Sequence, residues 1–221
     1  MPSGARRPDR TRTRLLEAAF EQMFRNGFQA ASLNAILSRA GLTKGALYHH
    51  FPDKAALGVA VIDEVVRRPV LDAYLGALGA DTADPLAASD PLAALQGVLR
   101  RRADDFTDEE IELGCPLNNL AQEMSPLDER LRERVESALE AWAAGFTDAL
   151  ERAKDAGTVR RDVDASRVAA FLVAAVEGSF GMAKNARSVA VLRSNLELLA
   201  DYLDTLRPRS DPRTAPTARG P

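Results

Sequence analysis

The side chains best suited to chemistry crowd into residues 32–51, which read SLNAILSRAGLTKGALYHHF. Thr43, Lys44, Tyr48 and His49 bring hydroxyl, ammonium and imidazole groups together, and Gly45 leaves a gap among them. An outward set of this kind suits a DNA groove: Thr and Tyr hydroxyls donate to phosphate oxygens, Lys neutralises phosphate, and His reaches a base edge or a phosphate. The adjacent His49 and His50 do not make a metal pair. Neighbours on a helix point about 100° apart, whereas two helical ligands need the spacing i, i+4, and no Cys, Asp or Glu cluster lies near enough to complete a site. No Gly-rich phosphate loop, Ser/His/Asp set or metal cluster occurs elsewhere, so the chain reads as a protein without cofactor or metal and not as an enzyme. Cys115 is the single cysteine, which excludes an intrachain disulfide framework and a Cys-based zinc finger.

The elements that must position this set follow from apolar spacing. Leu33, Ile36, Leu37 and Ala40 form one helical face, and Gly41 can end that helix in the left-handed conformation. Leu42 then fills the angle, Thr43 caps the next helix, and Ala46 and Leu47 face the core. This is the outline of a helix-turn-helix. Ser32 is an N-cap whose hydroxyl can equally reach a phosphate at the helix start. Upstream, Leu15, Leu16, Ala19, Phe20, Met23 and Phe24 predict a helix over 11–26, stopped by Asn26 and Gly27. Charge agrees with this placement. Residues 1–54 hold nine Lys plus Arg against four Asp plus Glu, while the rest holds 20 against 28, and the whole chain is at −3. Residues 1–10 read as a flexible basic arm in which Arg6, Arg7 and Arg10 could lie along DNA.

On the run AGLTKGALYHHFPDK, with Gly27 and Phe28 upstream, the chain resembles the DNA-binding domain of the TetR/AcrR family of bacterial transcriptional regulators. The likeness extends from Thr11 to about Leu57. Ala35 departs from the family pattern by removing the side chain that would complete a capping box. The resemblance implies that Thr43, Lys44, Gly45, Tyr48, His49 and Lys54 meet DNA, with Lys54 as the phosphate-binding lysine, and Ser32 joins the expected DNA-binding set through its helix-start hydroxyl. It implies an all-α fold of about nine helices: a three-helix helix-turn-helix unit at 11–52, then a larger ligand-binding and dimerisation domain at 53–206.

Beyond Pro52 the periodicity continues. Asp53 caps a helix through Leu57, Val61, Ile62, Val65 and Val66, with Pro69 expected to bend it before Tyr74. Residues 79–89 read as a loop, and Asp90 caps a helix whose Arg100–Arg102 run reads as a solvated face. The pattern GCPLxNLAxEMS at 114–125 resembles a helix that borders the ligand cavity in a TetR-like subgroup. The pocket set expected from these readings is Tyr74, Phe106, Cys115, Asn118, Asn119, Trp142, Phe146 and Phe171. Long helices are predicted over 127–156, from Asp164, and over 189–206. Their apolar surface exceeds the needs of one small bundle, and a homodimer through the last two helices is the expected outlet. Residues 207–221 read as a disordered tail. With no signal peptide and no apolar run approaching about 18 residues, a cytoplasmic protein without a membrane span is expected. The functional expectation is a dimeric repressor released from a palindromic operator in double-stranded DNA by a small, largely apolar effector. The alternative is a thiol-based redox regulator acting through Cys115, with no second cysteine to resolve a sulfenic acid.

Overall fold

A computed structural model describes residues 9–79 and 89–208. The arm expected over 1–10, the loop over 79–89 and the tail over 207–221 fall almost wholly outside them. Among the described residues all regular structure is helical. Helix α1 spans Arg10–Asn26, α2 Leu33–Ala40 and α3 Lys44–His50. Helix α4 runs over Lys54–Val61, passes through a π-helical turn at Ile62–Val66, and continues over Arg67–Leu75. Then come α5 at Pro91–Arg102, α6 at Pro116–Met124, α7 at Glu129–Asp155, α8 at Ala165–Ala186 and α9 at Val189–Asp204. Short turns at Ala103–Asp105 and Asp108–Ile111 join α5 to α6.

The helix ends have chemical causes. Asp9, Ser32, Thr43, Asp53, Asp90, Asp128 and Asp164 each accept a hydrogen bond from a backbone N–H in the first turn that follows. Gly41, at φ 61°, closes α2: its N–H donates to Ser38 O at 3.2 Å and Leu42 N–H donates to Leu37 O at 3.0 Å. That pair of reversed bonds turns the chain into α3.

Helix α7 is the axis of the larger part. It packs along α8, α5, α6 and α4, and α9 lies against α5 and α8. Its stripe of Leu131, Val135, Trp142, Phe146 and Leu150 is buried. By length and composition alone α8 could cross a membrane, which corrects the expectation of no such segment. Arg167, Glu177 and Lys184 interrupt the run, so a count of unbroken apolar residues passes over it. In the fold α8 packs between α7 and α9.

Two further expectations change. The irregularity in α4 lies at the π turn, a full turn before Pro69, where Arg67 N–H reaches back to Ile62 O. Pro69 lacks an N–H and would crowd the carbonyl of residue 65, and a widened turn just upstream accommodates that defect. The Arg100–Arg102 run is not uniformly solvated either. Arg100 pairs with Asp201 at 2.9 Å, but the Arg102 side chain is only 14% exposed.

One close approach fixes α4. A Cβ at Gly58 would lie 2.5 Å from Phe28 Cε2 and 3.1 Å from Leu131 Cδ2, so the helix backbone is wedged between the turn after α1 and helix α7. Gly58→Ala is expected to lower the urea midpoint by the equivalent of about 1–3 kcal/mol, with an unchanged slope. An unmoved midpoint would mean that the wedge yields freely.

Candidate DNA interface and effector cavity

Helix α3 presents the sequence-predicted polar set as one surface. Thr43, Lys44, Gly45, Tyr48 and His49 are exposed, Tyr48 at 54%, while Leu47 beneath them is fully buried. Lys44 and Tyr48 are one turn apart and so share a face. A shallow groove brings Ser32, Asn34, Lys44 and Tyr48 together across the start of α2 and the face of α3. Ser32 Oγ accepts from Ala35 N–H at 3.0 Å and Thr43 Oγ1 from Ala46 N–H at 3.3 Å, so both hydroxyls keep a hydrogen to donate outward. Lys54 stands apart from this groove. Its Nζ donates to Gln29 O at 3.0 Å and lies 5.0 Å from the Phe28 ring centroid, and burial pulls its pKa down.

Lys54 belongs to a joint between the N-terminal helices and the rest of the chain. The Glu123 carboxylate, at the end of α6, accepts from Phe28 N–H and Gln29 N–H, each at 2.8 Å. Gly27, at φ 83°, sets the turn that aims these two donors. Beside them Arg130 of α7 pairs with Asp53 at 3.0 Å, and Arg12 of α1 pairs with Glu64 in the π turn of α4.

Next to the joint is a cavity of about 200 Å³ lined by residues of α1, α4, α5, α6 and α8, among them Phe24, Tyr74, Arg102, Phe106, Cys115 and Phe180. Phe24 belongs to α1, so the N-terminal unit forms part of the wall. Arg102 lies over aromatic rings, its guanidinium carbon 4.5 Å from the Phe106 centroid and 5.2 Å from that of Tyr74. Its Nη1 pairs with Asp105 at 2.6 Å, and among the described residues its buried Nε has no hydrogen-bond partner. Tyr74, 2% exposed, has a buried hydroxyl that meets no partner at strict hydrogen-bond geometry among the described residues, with Arg102 beside it. Burial pushes that phenol's pKa well up, and Arg102 beside it offsets this only in part. A buried group left unsatisfied costs about 1–3 kcal/mol. Behind Cys115 lies Glu177 of α8, 8% exposed, whose Oε1 accepts from Cys115 Sγ at 3.1 Å while Oε2 has no hydrogen-bond partner among the described residues. Burial raises the Glu177 carboxyl to about 7, the thiol's hydrogen bond opposing it. Burial, then the Glu177 charge, pushes the Cys115 thiol up strongly.

Of the pocket residues expected from the sequence, Tyr74, Phe106 and Cys115 meet at this cavity. The others lie elsewhere. Asn118 Nδ2 donates to Glu177 O at 3.2 Å, and Asn119 Nδ2 donates to Leu113 O at 2.7 Å, so both amides tie backbone in place. Trp142 and Phe146 are fully buried behind Tyr74, with ring centroids 4.1 and 6.3 Å from it. Phe171 is 50% exposed on α8 and packs edge-on against Tyr202. A stripe at helical spacing says which side is apolar and not which neighbour covers it, and Phe171 shares its spacing with the buried Leu172 and Val176. Phe24, Arg102, Glu123, Glu177 and Phe180 were missed as site residues. An aromatic at the end of α1 and an acid inside an apolar run, as at Glu177, are the available signals.

Comparison with known proteins agrees with the head. Residues 15–61 match the family model described as bacterial regulatory proteins, tetR family, and residues 91–197 match the transcriptional regulator LmrA/YxaF-like C-terminal domain. The chain is 31% identical over 157 residues to the HTH-type transcriptional regulator LmrA of Bacillus subtilis (strain 168), covering 67% of this chain and 79% of that protein. It is 28% identical over 202 residues to the transcriptional regulator AcuR of Cereibacter sphaeroides, covering 91% and 84%. The crystal structure of regulatory protein TetR from Rhodobacter sphaeroides superposes with a TM-score of 0.74 at 25% identity, over 87% of this chain and 98% of that one. With a helix-turn-helix that exposes Lys44 and Tyr48 and an all-helical body behind it, the chain belongs to the TetR family of DNA-binding transcriptional regulators, which are not enzymes.

Proposed function

We propose that the protein is a cytoplasmic homodimeric repressor that leaves a palindromic operator when a small, largely apolar effector enters the cavity beside α1. Residues 11–52 would bind DNA, and residues 53–206 would bind effector and partner subunit. The observation that carries this reading is the shared wall: Phe24 of the N-terminal unit lines the same cavity as Tyr74, Arg102, Cys115 and Phe180. An occupant therefore acts on the seat of the helix-turn-helix, and it shifts the equilibrium only as far as it binds one arrangement better than the other. A dimer through α8 and α9 is supported by Phe171, Met182 and Leu198, which are 50%, 61% and 65% exposed on those helices. Two recognition helices related by a two-fold axis call for half-sites about one helical turn apart, or a multiple of it.

Selection from a random-sequence DNA library, followed by mobility shifts at several salt concentrations, tests the reading. A palindromic consensus is expected. Against it, Tyr48→Ala and Lys44→Ala should each weaken binding about tenfold or more without lowering the melting temperature, and Lys44→Ala should reduce the salt slope by about one. Retained affinity in both variants would overturn the assignment of α3.

The thiol-based alternative rests on Cys115, where burial and the Glu177 charge outweigh the backbone N–H groups of Leu117 and Asn118 that favour a thiolate. The thiol is 6% exposed, faces the Glu177 carboxyl and is held protonated by burial. Inducer response should survive Cys115→Ser, and its loss with binding intact would favour the thiol mechanism.

Glu177 also predicts a pH dependence. Its carboxyl is raised from an ordinary 4.5 to about 7 in the fold, so between those values the native state holds a proton that the unfolded chain has released. Stability is then greatest below about 4.5 as far as this group is concerned, falls as pH rises towards 7, and levels off above, for a total of about 3 kcal/mol. Glu177→Gln should abolish that decline and exceed the native protein in stability at pH 8, as read by urea unfolding across pH. An equal decline in the variant would assign the dependence to another group.

A further inference from the structure

Two consecutive N–H groups of the turn after α1 converge on one side chain of the body. Phe28 N–H donates to Glu123 Oε2 and Gln29 N–H to Glu123 Oε1, each at 2.8 Å, so the carboxylate grips the turn with both oxygens. Lys54 Nζ holds the same turn from its carbonyl side, 3.0 Å from Gln29 O. Gly27, at φ 83°, brings the two donors into line, and a Cβ there would lie 3.1 Å from Glu123 Oε2. The neighbouring contacts are of a different kind. The Phe28 ring is buried against Gly58, and apolar burial holds two bodies together without fixing the angle between them. Arg130–Asp53 and Arg134–Asp63, at 3.0 and 3.6 Å, use half-exposed arginines and are screened by salt. Arg12 also grips Glu64 with two nitrogens, but that pair joins two side chains, whereas Glu123 holds backbone.

The turn that Glu123 holds leads into α2 at Leu33, and α3 follows from α2 through Gly41. A directional tie to this backbone therefore bears on the tilt of the whole helix-turn-helix. In a two-fold dimer a change of tilt occurs in both heads and alters the distance between the two α3 helices. We propose that Glu123 is a positioning residue for operator recognition, fixing the separation of the two recognition helices and with it the half-site spacing that the dimer accepts. The inference rests on the dimeric reading above and adds the residue that sets its geometry.

Mobility shifts on the selected operator, and on versions with one base pair added or removed at its centre, test the role of Glu123. One base pair moves a half-site by about 3.4 Å along the duplex and turns it by roughly 35° about the axis. The native protein should bind the altered operators at least about tenfold more weakly. Glu123→Gln keeps the size of the side chain but turns an NH2 group towards one of the two donors. It should shrink the spacing preference to about threefold or less, leave the salt slope unchanged, and keep affinity for DNA bearing a single half-site within about threefold. Gly27→Ala reaches the same tie from the head side and should do likewise; the double variant should lose little more than either alone, because both act on one contact. Where one variant fails to fold, the other decides. A spacing preference kept in the variants overturns the role of Glu123 and leaves the dimeric reading in place. Equal loss of affinity for single and paired half-sites also overturns it, since that marks a residue needed only for the fold of the head. A native protein indifferent to spacing overturns the dimeric reading and this inference with it.

Discussion

The joint between the helix-turn-helix and the helical body depends on the Glu123 carboxylate, which accepts two backbone N–H bonds of 2.8 Å from Phe28 and Gln29. Hydrogen bonds to a charged acceptor contribute about 1.5–3 kcal/mol each, and breaking these would leave donors of the turn without partners. The turn is shaped for the purpose. Gly27 takes φ 83°, and a Cβ there would lie 3.1 Å from Glu123 Oε2, so a side chain at this position would strain the backbone and crowd the carboxylate. Helix α6, which carries Glu123, begins at Pro116 beside Cys115 on the cavity wall and is nine residues long. At 1.5 Å per residue its two ends are about 14 Å apart, so a tilt at the cavity is felt at the turn.

Helix α4 carries the other side of the joint and is built with a soft place in it. Its first segment is pinned between Phe28 and Leu131 by the missing Cβ of Gly58. Its last segment brings Tyr74 to the cavity. Between them the π turn at Ile62–Val66 breaks the regular hydrogen-bond ladder, with the defect of Pro69 just beyond. Arg12 of α1 pairs with Glu64 in that turn. The weakest stretch of the helix is thus where the N-terminal unit also grips it, and a change in its pitch alters both contacts.

The fold was largely legible in the sequence because helix caps and apolar spacing are local signals. Ser32, Gly41 and Thr43 mark the helix-turn-helix by residue type, and Asp53, Asp90 and Asp164 mark later helix starts in the same way. The polar face of α3 was legible for the same reason, since four spacings on one short helix fix what shares a side. The cavity was not. Arg102 sits in a run of three arginines that reads as solvent-facing, and only the packing of α5 turns it onto Tyr74, Phe106 and Phe180. Asn118 and Asn119 look like ligand-orienting amides until the carbonyls of Glu177 and Leu113 come within reach across the fold. Phe24 reads as core of α1, because sequence cannot say that the core at that point opens onto another helix layer.

The position of the cavity bears on how much a small ligand can do. To carry a two-state equilibrium from 1:99 to 99:1, a ligand must favour one state by about 5.5 kcal/mol. Contacts made wholly within a rigid body are the same in both states and contribute nothing to that difference. Had the cavity been walled only by α5, α7 and α8, even a tight ligand would have had little leverage on the orientation of α3. Phe24 changes this, since a ligand packed against it would keep or lose contact according to where α1 sits. At about 25 cal/mol per Å², a few tens of Å² of state-dependent apolar contact give only about 1 kcal/mol. The rest of the difference has to come from polar groups whose partners change with the state. Glu123, with its two N–H donors and Lys54 close by, commits both oxygens across the joint, as does Glu64 to Arg12. On the proposed reading, the apolar wedge at Phe24 and the polar tie at Glu123 are complementary: the first would let a small molecule sense the joint, and the second would give two arrangements of the joint different energies.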